Sequence, residues 1–275
     1  MADSPKHFLN GKLVPEVELL ISPRDLGFTR GYAVFDYLVT YGRKPFKLDA
    51  HIKRLFNSAD AIHLKIPWTK EEVKKWILTT LEANPTGEKT IKVIISGGMT
   101  DFILPSGAPT VIIMVDDRHP YPSDLYELGT SVITVKFKRL QPHAKTNNYI
   151  KAISEMLHFE NGVEDAIYYD DTQVYEPTTS NMFAVIDERL VTPKTDILPG
   201  ITKEVLLDIL KLDIPVVEED FKIEDLMRAT EVFMTSSNRE IAPVVAINGK
   251  KVGSGKIGPV TREVMKQFRA YTSSS

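Results

Sequence analysis

The first long pattern in the chain is an alternation. From residue 32 to residue 41 apolar positions alternate with others, and Val34, Phe35, Tyr37 and Val39 favour strands, so this stretch predicts a β-strand. Before it, residues 7–14 read as a hairpin that turns at Asn10-Gly11, a pair that accepts the positive φ of a tight turn. Residues 25–31 read as a polar bend marked by glycine, and residues 41–45 as a further turn. The period then changes. Ile52, Leu55, Ala59 and Ile62 recur at helical spacing, which predicts a helix over about 50–62 with Asp49 as its N-cap. Thr69 opens a second helix to about residue 84, with Val73, Trp76, Ile77 and Leu81 on its apolar side. Strands are expected at 89–96 and 110–115. The glycine-rich loop between them, 97–107, suits either substrate contacts or a plain connection.

Residues 116–123 are polar, contain two prolines and have no period. A domain boundary is expected there, with one domain over 1–118, a linker at 119–124 and a second domain over 125–275. Beyond the linker, alternation predicts strands at 130–138, 165–170, 173–176, 182–186, 189–192, 231–234 and 240–248. Helical spacing predicts helices at about 148–161, 203–211, 223–229 and 259–271.

Composition narrows the classes. Of 275 residues, 43% are hydrophobic and 26% charged, which is the balance of a globular protein with enough material for a core. The net charge of −3 gives no overall field for nucleic acid or a membrane surface, and no basic cluster is interleaved with aromatics. With no cysteine there are no disulfides, no thiolate catalysis and no cysteine metal site, and no metal is expected. No apolar run approaches the roughly 20 residues of a membrane span, and the amino terminus lacks an apolar targeting core. A soluble cytoplasmic protein is the expectation.

Two stretches carry chemistry. Pro142-His143-Ala144-Lys145-Thr146-Asn147-Asn148-Tyr149 places a lysine at a helix entrance. Tyr175-Glu176-Pro177-Thr178-Thr179-Ser180-Asn181 leads a glutamate into small hydroxyl residues. A lone lysine or glutamate in such a place is usually only solvated. Together they match what pyridoxal phosphate requires, a lysine to hold the aldehyde and an acid to keep the ring nitrogen protonated. Pro199-Gly200-Ile201-Thr202 at a helix start and Thr235-Ser236-Ser237-Asn238 in a turn suit an anion, although any helix start carries free N–H groups.

On these segments, and in their order, the chain resembles the class IV pyridoxal-phosphate enzymes: branched-chain aminotransferases, D-amino acid aminotransferases and aminodeoxychorismate lyases. Gly31-Tyr32-Ala33-Val34-Phe35-Asp36 is similar to the family's early strand, which usually ends in glutamate. His51-Ile52-Lys53-Arg54-Leu55 matches its His-x-x-Arg-Leu helix. The resemblance implies an α+β protein of two domains, a smaller N-terminal α/β domain and a larger C-terminal domain with a β-barrel-like core and flanking helices. It implies a homodimer and the cofactor pyridoxal 5′-phosphate. It implies Lys145 as the Schiff-base lysine and proton-transferring base, with Lys151 as the local competitor. By the same resemblance Glu176 would pair with the pyridinium. Arg54, the backbone of Ile201 and Thr202, and Ser237 would bind phosphate, with Leu198, Gly200 and Ser236 in the same cup. Tyr149 would reach the phenolic oxygen, and Ser180 would belong to the glutamate motif.

The substrate side departs from the family. Where D-amino acid aminotransferases carry Arg-x-His, this chain has Asp101-Phe102-Ile103, and their early-strand tyrosine is Phe35 here. A bound carboxylate still needs a cation. Arg30 is the first candidate and Arg239 the second, with Phe35, Thr178 and Asn238 as further substrate contacts. The expected function is transfer of an amino group between a small amino acid, of branched-chain or D-type, and a 2-oxo acid. The alternatives are a pyruvate-eliminating aminodeoxychorismate lyase and a non-catalytic binding protein on the same fold.

Overall fold

The computed structural model describes residues 4–158 and 163–274, and the chain divides into two units. One comprises Met1–His119 and His143–Asn148, the other Pro120–Pro142 and Tyr149–Ser275. The segment that carries Lys145 therefore clusters with the first unit, although the linker at 119–124 assigns it by sequence to the second.

The first unit is an antiparallel sheet of β1 (Lys6–Leu9), β2 (Lys12–Pro15), β3 (Ala33–Tyr41), β4 (Lys44–Pro45), β5 (Lys89–Ser96) and β6 (Thr110–Asp117), in the order β2-β1-β6-β5-β3-β4. Asn10 and Gly11, at φ 45° and 96°, make the expected turn between β1 and β2. The expected bend at 25–31 is instead a short helix, α1 (Leu26–Arg30). Asp25 caps it by accepting from Gly27 N at 2.7 Å, and Gly31 closes it at φ 64°.

Helices α2 (Leu48–Ala61) and α3 (Lys70–Glu82) share a core with the sheet through Leu38, Ile52, Leu55, Ile77, Ile91, Ile95 and Ile113. Burying each such side chain contributes about 1.5–3 kcal/mol before the entropy of ordering is counted. The entry to α2 differs from expectation. Lys47, at φ 50°, is the N-cap, and Asp49 lies inside the first turn with its carboxylate 2.6 Å from Lys74 Nζ on α3. Thr69 does open α3, in a capping box with Glu72.

The second unit is a mixed sheet of β7 (Thr130–Lys136), β8 (Val163–Tyr169), β9 (Val174–Pro177), β10 (Asn181–Ile186), β11 (Arg189–Thr192), β12 (Val216–Glu218), β13 (Glu231–Ser236), β14 (Glu240–Ile247) and β15 (Lys250–Lys251). The order is β12-β11-β10-β13-β14-β7-β8-β9, with β15 on β14. Val132, Ile167, Val174, Met182, Val191, Met234 and Val244, drawn from across the sheet, meet in one cluster, so the sheet curls round its own core. The short helices α4 (Ser123–Glu127) and α7 (Ile223–Arg228) add Leu125 and Leu226 to that core.

On the other face of the sheet Phe183 stacks on Phe233 with centroids 5.1 Å apart, and α6 (Ile201–Ile209) and α8 (Pro259–Ser273) pack against β13. Glu231 accepts from Val260 N at 3.1 Å and Thr261 N at 2.7 Å, which caps the first turn of α8. The expected lysine helix is α5 (Ile150–Met156), shorter than its pattern; residues 159–161 of that expectation lie outside the described residues. Among the described residues no helix is long and apolar enough to cross a membrane, and no group of His, Asp and Glu could hold a metal ion.

Candidate functional site

In the first unit Lys145 is fixed through its backbone. Residues 143–148 run along β3: Phe35 N donates to Lys145 O at 2.9 Å, and Asn147 N to Ala33 O at 3.2 Å. On the other side Lys145 N donates to Ser58 Oγ at 3.0 Å, and that hydroxyl donates to Arg54 O at 2.8 Å on α2. The base of the side chain is thus held between a strand and a helix. Its Nζ lies 4.7 Å from the centroid of the Phe35 ring. Lys151, the competing lysine, sits on α5 in an i,i+4 ion pair with Glu155.

Beside this segment three ionisable side chains are buried together. Asp36 Oδ1 accepts from Arg54 Nη2 at 2.7 Å and lies 2.7 Å from His51 Nδ1, and Oδ2 accepts from Arg54 Nε at 2.9 Å. Burial alone would raise the Asp36 carboxyl, but Arg54 and His51 outweigh it and hold the group well below the usual carboxylate range. Burial pushes the His51 imidazole below its ordinary value against the pull of Asp36, and Arg54 and Lys145 add to the depression. A carboxylate can only accept, so the neutral ring carries its proton on Nδ1. Its Nε2 is buried without a hydrogen-bond partner.

Both shifts act on stability in one direction. The unfolded histidine and aspartate take up protons at higher pH than the folded ones, so stability falls as pH drops. The His51 contribution is lost first, below the ordinary histidine value of about 6.5, and that of Asp36 only in stronger acid. Urea unfolding from about pH 7.5 to about pH 5.5 is expected to show declining stability, with a shallower decline in His51→Gln. An identical slope in the variant would remove His51 as the source.

In the second unit the buried Glu176, on β9, has one oxygen fully committed. Its Oε2 accepts from Asn181 Nδ2 at 2.9 Å and from Leu198 N at 3.0 Å, and its Oε1 lies 3.4 Å from Arg139 Nη1. Nothing in the sequence singled out Arg139. Its guanidinium also donates to Thr178 O and lies over the rings of Tyr149 and Tyr168 at 5.8 and 5.7 Å. Its only sequence signal is a cation in the loop before the lysine.

Gly200 is the N-cap of α6, so the first-turn N–H groups of Ile201 and Thr202 have no partner within the helix. Asn181 and Thr235 face each other across β10 and β13, and Thr235 Oγ1 is buried without a hydrogen-bond partner. The sequence reading put Thr235 in one anion-binding turn with Ser236, Ser237 and Asn238; in the structure Thr235 and Ser236 still belong to β13. Ser236 Oγ accepts from Arg239 N at 3.2 Å.

Of the substrate-side candidates, Thr178 and Arg239 converge on the fully buried Asp165. It accepts from Thr178 N at 3.0 Å and from the hydroxyls of Thr178, Thr179 and Ser180, which fixes the turn after Glu176. Arg239 is bound in the same place, 2.9 Å from Asp165 and 3.2 Å from Glu164. These two carboxylates, with Tyr121, raise its pKa against the effect of burial. Asn238 donates to Tyr121 Oη at 3.5 Å. Arg30 is exposed at the end of α1 and donates to Thr29 O at 2.9 Å, and Phe35 is half-buried on β3.

Taken unit by unit, the groups present suit pyridoxal phosphate by their chemistry. Glu176 is a buried acid for a ring nitrogen, the α6 terminus and the unpartnered Thr235 hydroxyl suit a phosphate, and Lys145 suits an aldehyde. Comparisons with known proteins point the same way. The model of the family "Amino-transferase class IV" matches residues 33–247. A Methanocaldococcus jannaschii protein named as a branched-chain-amino-acid aminotransferase is 34% identical, over 96% of this chain and 95% of its own. A D-alanine aminotransferase of Staphylococcus haemolyticus is 31% identical over 98% of both chains. The crystal structure of the Escherichia coli branched-chain amino acid aminotransferase superposes with a TM-score of 0.90 at 26% identity, covering 98% of this chain and 95% of that one.

Proposed function

The chain belongs to the class IV aminotransferases, and on that premise we propose that it transfers the amino group of a small amino acid, of branched-chain or D-type, to a 2-oxo acid. Its cofactor is pyridoxal phosphate, whose pyridinium, when bound, withdraws electrons from the substrate carbon. Lys145 would hold the aldehyde of the cofactor and serve as the base that takes the proton from the substrate carbon. Glu176 keeps the ring nitrogen protonated. Arg54 neutralises phosphate charge, and the N–H groups of Ile201 and Thr202 with the Ser237 hydroxyl bind phosphate oxygens. Tyr149 donates to the phenolic oxygen. The observation that carries this reading is the clamp on Lys145 from Ser58 and Phe35, which Lys151 lacks.

For the substrate carboxylate the choice falls on Arg30. Arg239 already faces Asp165 and Glu164, so a third carboxylate would have to displace a buried pair. Arg30 is exposed, and among the described residues its guanidinium donates to the neighbouring Thr29 carbonyl. The enzyme works as a homodimer in the cytoplasm. The exposed Phe102, Ile103 and Leu104 in one loop support a second copy as the covering surface.

The test is an absorbance scan of the purified protein with single L- and D-amino acids and no acceptor. Conversion of the visible band to that of the amine form of the cofactor is the expected result, with one enantiomer preferred. A band that no amino acid shifts would overturn the reading. In the same assay Arg30→Ala raises KM for the amino-acid donor much more than for a simple amine. Equal effects on both donors would remove Arg30 from the carboxylate site.

A further inference from the structure

The amide of Asn181 occupies an unusual position. Its Nδ2 donates to Glu176 Oε2 and, also at 2.9 Å, to Leu198 O. Both partners are acceptors, so the nitrogen must face them and Oδ1 must point the other way. There it meets Gly200: a Cβ on Gly200 would lie 1.6 Å from Asn181 Oδ1 and 2.8 Å from its Cγ. The next atom in reach, Lys203 Cβ, is at an ordinary 3.5 Å. Gly200 has φ −80° and ψ 126°, a conformation open to any residue. Backbone strain therefore does not require glycine here, and the approach of Asn181 does.

Leu198 is the third member. Its N–H donates to the same Glu176 oxygen, and its C=O receives the same amide. Glu176, Asn181 and the turn 198–200 thus close a small ring of hydrogen bonds within one unit, and α6 begins at the end of that turn.

We infer that Asn181 is a positioning residue that locks Glu176 to the turn 198–200, and that Gly200 is glycine in order to admit it. This rests on the functional reading above. On that reading Glu176 serves the ring nitrogen and the α6 terminus serves the phosphate, so Asn181 sets the spacing between the holders of the two ends of one rigid ligand. It touches neither end itself.

The test combines Asn181→Ala, Gly200→Ala, the double variant and Asn181→Asp. Each is measured for pyridoxal phosphate affinity by titration, for the pH dependence of the visible band, and for melting of the cofactor-free protein. Asn181→Ala is expected to weaken cofactor binding roughly 10- to 100-fold, the usual scale for removing an outer partner or a hydrogen bond to a charged group. The apparent pKa of the visible band shifts as well, because the acid at the ring nitrogen is no longer held. Gly200→Ala alone reproduces both effects by displacing the amide. Added to Asn181→Ala it has little further effect, because the clash is gone. Asn181→Asp binds worst, since it loses the donor and sets a second carboxylate beside Glu176.

A merely structural role predicts something else: lower melting temperatures with the affinity and pH profile of the bound form unchanged. That outcome, or full additivity of the two alanine substitutions, would overturn the inference. A wild-type protein whose band no amino acid shifts would instead defeat the functional reading and leave the cofactor titrations as a separate test of Asn181.

Discussion

Lys145→Ala loses the visible band of the lysine-bound cofactor, and its turnover falls by roughly a thousandfold or more. One side chain is being asked to do two things. On the proposed function it holds the aldehyde as a nucleophile and moves the proton at the substrate carbon as a base, a role worth about 10²- to 10⁴-fold by itself. Alanine removes both. The loss reflects chemistry and not collapse of the segment, because the contacts that hold it come from backbone atoms: Lys145 N to Ser58 and Lys145 O to Phe35 N. The variant should therefore melt close to the wild type. Lys151→Ala is the control. It breaks only a partly exposed helix pair with Glu155, worth at most about 0.5 kcal/mol, and should keep both band and turnover. The reverse pattern, with the band kept in Lys145→Ala and lost in Lys151→Ala, would reassign the catalytic lysine.

Arg54→Ala is the second large effect, and it appears in the cofactor-free protein first. Arg54 meets Asp36 through two nitrogens, and the carboxylate also faces His51, with all three side chains buried. Removing the arginine strands a buried negative charge, which typically costs about 3–5 kcal/mol. Arg54→Lys recovers little of this, since an ammonium cannot span both oxygens from one rigid plane. Asp36→Ala combined with Arg54→Ala should be less unstable than the two single losses added together. Urea unfolding of the four proteins gives the cycle. On the proposed role of Arg54 at the phosphate, cofactor affinity is expected to stay low even where the double variant regains stability. Destabilisation by Arg54→Ala of less than about 1 kcal/mol would show that the triad does not behave as a buried ion pair.

The arginine marks the boundary of what sequence reasoning reaches. The His51 and Arg54 spacing on α2 is legible because it is local: i and i+3 share a helix face whatever the rest of the chain does. For the same reason the chain by itself determined the Asn10-Gly11 turn, the helix start at Thr69, the period of β3 and the apolar faces of α2 and α3. It also carried the lysine and glutamate motifs, because a cofactor's chemistry restricts residue type and order along the chain, and the family model and relatives bear that resemblance out.

Only the tertiary structure decided which distant partners meet. Asp36 reads in the sequence as one position of a strand, and becomes the anchor of Arg54 only when β3 lies under α2. Lys145 follows the linker in sequence, yet it clusters with the first unit because its backbone pairs with β3 and Ser58. Arg239 reads as a free cation until Asp165 and Glu164 are brought beside it. Gly200 reads as phosphate chemistry until Asn181, nineteen positions earlier in the chain, is found against it. The physical reason is the same each time. Periodicity and turn chemistry depend on neighbours within a few residues, whereas compensation of buried charge and close steric fit depend on groups that only folding brings within contact distance.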